Sequence, residues 1–357
     1  MDKIIFNILK KLEKNGYNAF VVGGYVRNKL LGLESVDVDI CTNALPKDII
    51  KTLKLSKSTK DAYGSVNIKT KKYNIDITTF RKESDYQNHT PKTITYVNDL
   101  KTDLKRRDFT INTILLNKDE EIIDYFNGLK DLQDKKIKCV GSVKDRLFED
   151  PLRILRAIRL SIIYDLNIDI EIIEFLKDNK ELIEKISFFR KKEELDKILV
   201  SNNKIKGLQY IKELKLCDTF GIKFDNIIHC KDILGMYSQI EFSNKFPLTK
   251  QEKEIISKVR NIVKNGKVDS ITLYTYGLYI NSIAGELLGL EYLHINKLYK
   301  NLPIKTKNDI KISIESIVKL NNNCYNGVND IYKKLEMNIL NGKLKNRNKD
   351  IIKFLRK

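Results

Sequence analysis

The chain has 357 residues, 42% hydrophobic and 32% charged, which suits packed cores and excludes intrinsic disorder. Lysine and arginine outnumber aspartate and glutamate 66 to 47, a formal net charge of +19 that points to a polyanionic partner or a solvated basic surface. Its five cysteines (Cys41, Cys139, Cys217, Cys230 and Cys324) include no C-x-x-C pair, which fits free thiols in a reducing cytosol better than a disulfide scaffold.

Residues 3–14 predict an amphipathic helix with Ile4, Ile5, Ile8, Leu9 and Leu12 on one face. Lys10, Lys11 and Lys14 break the apolar run that a signal peptide would need, so the expected location is cytoplasmic. "NAFVV" predicts a strand, Gly23–Gly24 a turn, "YVRNKLL" a short helix closed by Gly32, and "SVDVDIC" a second strand. Glycines lacking Cβ let phosphate oxygens approach backbone N–H groups, and Arg27 lies one turn into the helix, within reach of the same phosphates. Two glycines alone fit a plain tight turn better than a phosphate site.

Asp37 and Asp39 are two apart on a strand, so their side chains leave the same face, with Val36, Val38 and Ile40 directed into a core. Two such carboxylates can bind Mg²⁺ together with substrate phosphates, or line a solvated strand face. "SVNIKTKKYNIDITTF" (65–80) alternates on both sides of a Lys-Lys turn and predicts a hairpin. There Asp76 lies opposite Ile75 and Ile77, where a third carboxylate beside the first two would complete a two-metal clamp. Residues 81–93 read as a loop. "LKRRDFTINTI" (104–114) offers Arg107 for a phosphate or ribose contact and Asp108 as an acceptor for ribose hydroxyls, or as a helix cap.

In "FEDPLRILRAIRLSIIY" (148–164), Arg153, Arg156 and Arg159 spread over one side of a helix, opposite Leu152, Leu155, Ile158 and Ile162. Asp150 before Pro151 makes a good helix start. Alternatively, Asp150 and Arg153 form a base-reading pair. The carboxylate accepts from the amino group of cytosine or adenine, while the guanidinium donates to the neighbouring ring acceptor. Guanine or uracil would set carbonyl against carboxylate and be rejected.

From residue 150 to the end the pattern is helical. The weakly charged run 271–290 reads as a buried helix and is too polar for a membrane span. Residues 1–150 carry 28 Lys/Arg against 22 Asp/Glu, and residues 151–357 carry 38 against 25, so the helical part is the more basic. Lysine outnumbers arginine 54 to 12, yet eight arginines lie between residues 27 and 159. In so lysine-biased a chain, clustered arginine marks places that need a planar, bidentate fork.

The ordered motifs VGGYVRN, LLG, DVDICT, IDITTFR, RRDFTIN, DYFNGLKDL and EDPLRILRAIR resemble those of the class II tRNA nucleotidyltransferases, the CCA-adding enzymes, relatives of bacterial poly(A) polymerases. The closing "LEMNILNGKLKNRNKDIIKFL" resembles the end of the Gram-positive-type members, so the resemblance spans the chain. It implies an α/β fold followed by an all-α part: a small nucleotidyltransferase head with a mixed sheet (1–138), then a helical neck (139–200), body (201–265) and tail (266–357). It also implies Mg²⁺ on Asp37 and Asp39, with Asp76 completing the catalytic acids. Nucleotide contacts would fall to Gly23, Gly24, Arg27, Arg107, Asp108, Asp150, Arg153, Arg156 and Arg159. The implied substrates are tRNA, CTP and ATP, with no membrane and no obligatory protein partner. Two departures stand out: Asn28 replaces a usual Asp, and "YQNHTP" replaces a more charged loop implicated in the switch from C to A addition. No HD-type metal cluster is expected from His89, His229 and His294.

Overall fold

The computed structural model describes residues 1–55, 64–87, 90–320 and 325–356, with the side chains of 85–87, 90 and 91 left out. The chain divides into two compact units, Met1–Gly207 and Leu208–Lys357.

The first unit opens with α1 (Lys3–Lys14), whose first turn is capped by Asp2 accepting from the Ile4 amide at 2.9 Å. Ile5, Ile8, Leu9 and Leu12 are buried on one stripe; Ile4 falls off its edge and is 37% exposed, contrary to the sequence expectation. A sheet follows, built from β1 (Ala19–Val22), β2 (Asp37–Thr42), β3 (Ser65–Lys69), β4 (Asn74–Thr79), β7 (Leu115–Leu116) and β8 (Ile122–Ile123) in the order β3-β4-β2-β1-β7-β8. Only β2 and β4 run parallel, so the sheet is mixed as expected. Helices α2 (Gly24–Leu30) and α3 (Pro46–Leu53) flank it.

The segment read as a loop at 81–93 is instead an antiparallel hairpin, β5 (Arg81–Gln87) with β6 (Thr90–Tyr96). Alternating Thr and Ile in "TPKTITY" carry the strand pattern that polar composition obscured. The side chains of the divergent "YQNHTP" stretch lie outside the described residues.

Helices α4 (Leu100–Lys105), α5 (Gly128–Gln133), α6 (Val143–Glu149), α7 (Leu152–Tyr164), α8 (Ile170–Asp178), α9 (Lys180–Glu184) and α10 (Phe188–Leu199) complete this unit, and α11 spans Lys204–Glu213. On α7, Leu152, Leu155, Ile158 and Ile162 are buried as predicted, which leaves the arginine side of the helix for polar work.

Among its described residues, the second unit has helices and one two-residue strand pair, Ile222–Lys223 with Glu241–Phe242. It holds 26 Lys/Arg against 15 Asp/Glu. A core around Leu273, Ile295, Ile317, Leu335 and Ile351 binds its C-terminal helices. The run expected to form one buried helix at 271–290 is broken at Gly277, whose φ of 73° only glycine adopts easily. Among the described residues, no helix is long and apolar enough to cross a membrane. Cys41, Cys139, Cys217 and Cys230 are unbonded.

Candidate active site

The period-two alternation of β2 buries Val38 and Ile40 and exposes Asp37 and Asp39. Val36, expected in the core, precedes the strand and is 60% exposed. On β4, Ile75 and Ile77 are buried while Asp76 faces the other way. The parallel register sets Asp39 directly beside Asp76 and Asp37 beside Asn74, so three carboxylates occupy one face of two paired strands.

Their partners are neutral. Asn74 Nδ2 donates to Asp37 Oδ1 at 3.0 Å, and Asn67 Nδ2 donates to Asp76 Oδ1 at 2.7 Å. Among the described residues none of the three acids forms an ion pair with lysine or arginine. Although the Asp39 residue keeps an exposed surface, loss of water around its carboxyl pushes it above the ordinary carboxylate range; Arg107 pulls it down, against repulsion from Asp76 and Asp37. The three-acid clamp is not preassembled: among the described residues, no three His, Cys, Asp or Glu side chains already converge to hold an ion. Hard oxygen donors in repulsion do fit a divalent cation that completes its shell with substrate phosphates.

Gly23 links β1 to α2 with φ 77°, ψ −142°, and a Cβ there would stand 2.9 Å from Asp39 Oδ2 and 3.6 Å from Arg107 Nη1. The glycine turn therefore opens directly onto the carboxylate face. Arg107 flanks that opening, held from behind by Asp103 at 3.6 Å; among the described residues, the buried Arg107 Nε and Asp103 Oδ2 have no hydrogen-bond partner.

Arg27 is turned inward and only 5% exposed. Its Nη1 donates to Asn112 Oδ1 (2.6 Å) and its Nη2 to the Tyr164 hydroxyl (2.8 Å), with the guanidinium 4.2 Å over the Tyr164 ring. Asn28, at the position where aspartate was expected, supplies a carbonyl acceptor to the same guanidinium at 2.9 Å. The sequence-predicted reach of Arg27 toward phosphate is thus met by a side chain already engaged with α7, although its Nε has no hydrogen-bond partner among the described residues.

Along α7 each arginine faces a carboxylate. Arg156 binds Asp108 through Nε (2.8 Å) and Nη2 (2.6 Å), and Arg159 Nε donates to the buried Glu194 at 2.6 Å. Burial alone would raise the Asp108 carboxyl, but Arg156, with donors from Asn112 Nδ2 and the Phe109 amide, holds it well below the usual range. Asp108 is therefore an internal counter-charge, with its acceptor sites largely used by the protein.

Asp150 and Arg153, expected to read one base edge together, are joined through the backbone, Arg153 N–H to the Asp150 carbonyl at 3.0 Å, and their side chains have other partners. Arg153 Nη1 donates to Glu149 Oε2 (2.9 Å) and to the Arg146 carbonyl (2.8 Å), and its Nη2 to the Arg106 carbonyl (3.1 Å). Asp150 is held by Arg190 and also accepts from the Leu152 amide at 3.2 Å, so the helix-start role is real as well. Sequence reading missed Asp103, Asn112, Tyr164, Arg190 and Glu194. Of these only Arg190 carried a signal, as an arginine standing directly before two lysines.

Comparison with known proteins follows this geometry. Residues 19–138 match a family model described as the poly A polymerase head domain, and residues 165–220 one described as a probable RNA and SrmB-binding site of polymerase A. A CCA-adding enzyme of Ligilactobacillus salivarius is 32% identical over 87% of this chain and 85% of the relative. One from Streptococcus uberis is 30% identical over 98% and 95%. The fold is similar to the Bacillus stearothermophilus CCA-adding enzyme in complex with CTP, with TM-score 0.82, 22% identity, and 99% and 97% of the two chains covered. It is also similar to the Thermotoga maritima CCA-adding enzyme complexed with tRNA, with TM-score 0.69, 22% identity, and 99% and 95% covered.

Proposed function

The chain belongs to the CCA-adding enzymes, and on that premise we propose how its own residues carry out the reaction. It adds C, C and A to the 3′ end of tRNA from CTP and ATP without a nucleic-acid template. The 3′-hydroxyl oxygen attacks the α-phosphorus, a new O–P bond forms, and pyrophosphate leaves with the old one. Like its nucleotidyltransferase relatives, it depends on a divalent metal.

We assign the metal to Mg²⁺ and its ligands to Asp37 and Asp39, with Asp76 beside them on β4. When bound, the ion supplies activation of the attacking hydroxyl and neutralisation of the leaving pyrophosphate. Gly23 and Gly24 leave backbone N–H groups open to the triphosphate, and Arg107 flanks them with a fixed positive charge. Arg27 orients this turn by tying α2 to Tyr164. Asp150 and Arg153 read the base edge, while Arg156 and Arg159 line the same helix toward the nucleotide. The observation that carries the reading is the Asp39–Asp76 register: two strands that place repelling acids side by side beneath a glycine turn.

Domain assignments follow: a catalytic head (1–138), a base-reading neck (139–200), a body (201–265) and a tail (266–357), the basic helical part gripping tRNA by phosphate and shape. We place the enzyme in the cytoplasm, in keeping with its unbonded cysteines. The test is incubation of the purified protein with tRNA lacking CCA, offering CTP, ATP or both. Two CMP additions from CTP, followed by one AMP, are expected. AMP transfer to CC-ended tRNA without any CMP incorporation would instead indicate an A-adding enzyme.

A further inference from the structure

Base reading requires the Asp150 carboxylate to hold one orientation, and the Arg153 guanidinium is bonded to Glu149 and to two backbone carbonyls. The Asp150 backbone is fixed by position: it ends α6 in an extended conformation (φ −145°, ψ 97°), as the residue before Pro151 must. The Leu152 amide of α7 donates to Oδ1 at 3.2 Å, a single bond that pins one oxygen and leaves the plane of the carboxylate to be set by another donor.

Arg190 is that donor. Forty residues on, in the first turn of α10, its Nη1 donates to Asp150 Oδ1 at 3.3 Å and its Nη2 to Oδ2 at 3.1 Å, one prong to each oxygen. A two-pronged grip fixes the plane of a carboxylate, which a lysine cannot do. Arginine stands here directly before Lys191 and Lys192, in a chain that otherwise uses lysine by 54 to 12. Glu194, one helical turn later, takes Arg159 at 2.6 Å, so α10 secures two of the charged residues around the base-reading end of α7. Oδ1 accepts from both the Leu152 amide and Arg190, but Oδ2 accepts from Arg190 and has a second lone pair for an incoming amino group.

We propose that Arg190 is a specificity-positioning residue: by forking Asp150 it fixes the acceptor edge against which cytosine and adenine are told from uracil and guanine. This rests on the assignment of base reading to Asp150 and Arg153. Arg153 is held separately, by Glu149 and two carbonyls, so the two halves of the reading edge are positioned by different partners.

The experiment compares Arg190→Gln, Arg190→Lys and Asp150→Asn for kcat/KM with CTP, UTP, ATP and GTP on tRNA acceptors, alongside a thermal melt of each variant. The expected result is a drop of about tenfold or more in the CTP-over-UTP ratio for Arg190→Gln, within the discrimination a base contact supplies. Arg190→Lys, retaining charge without the fork, should recover only part of it. An equal loss with all four nucleotides would make Arg190 merely structural and overturn the proposal. Unchanged selectivity in both Arg190 variants, with collapse in Asp150→Asn, would overturn it while leaving base reading at Asp150 intact. Unchanged selectivity in all three would remove both.

Discussion

The strand face and the arginine side of α7 solve opposite electrostatic problems. On β2 and β4, Asp37, Asp39 and Asp76 stand together, Asp37 and Asp76 accepting from asparagine amides. On α7, Arg153, Arg156 and Arg159 each meet a carboxylate from another helix or turn. The first region is charge-frustrated and gains from a cation the chain does not provide; the second is neutralised in advance and therefore rigid. A ligand's charge is wanted at one end of the site and its shape at the other.

That contrast is broken most directly at Asp39. Asp39→Ala should cut nucleotide transfer by about 10²–10³-fold or more in single-turnover assays. The melting temperature should hold or rise, because a repelling charge has gone. Mg²⁺ should stabilise the parent protein by about 2.7 kcal/mol at a hundredfold excess over Kd, and the variant much less. Loss of folding together with activity would mean that the acids are structural.

The converse holds on α7. Arg156→Gln leaves Asp108 buried without its cation and should lower stability in urea by about 1–3 kcal/mol, below the full cost of breaking a buried pair because Arg156 is partly exposed. A neutral result would show the pair to be ornamental.

The smallest effect has opposite signs in the two regions. Asp108 has a lowered folded pKa, so its stabilisation is complete above the unfolded aspartate value near about 3.9 and is lost as pH falls below it. Asp39 has a raised one, so its ionised form costs stability at neutral pH, and acidification relieves that cost. Carboxyl ¹³C titration should find Asp39 protonating first and Asp108 last, with Mg²⁺ shifting Asp39 downward. The reverse order would contradict the comparison.

Local periodicity made some of this legible beforehand. The D-x-D parity, the hairpin at 65–80 and the apolar stripe of α7 follow from repeats of two and 3.6 residues, and the structure reproduces them. Val36 failed because it lies before the strand begins, and 81–93 failed because its strand character is carried by threonine among polar neighbours. Of the expected base-reading residues, Arg153 meets Glu149 four residues back, which local spacing allows, whereas Asp150 meets Arg190, which only packing brings near.

By itself the sequence determined which residue types share a face and where glycine is obligatory, because those properties depend on neighbours a few bonds away. Only the tertiary structure decided which acid meets which arginine. Arg27 with Tyr164, Arg156 with Asp108 and Arg190 with Asp150 are separated by 137, 48 and 40 residues, so their pairing is set by how helices and strands pack, which no short window encodes.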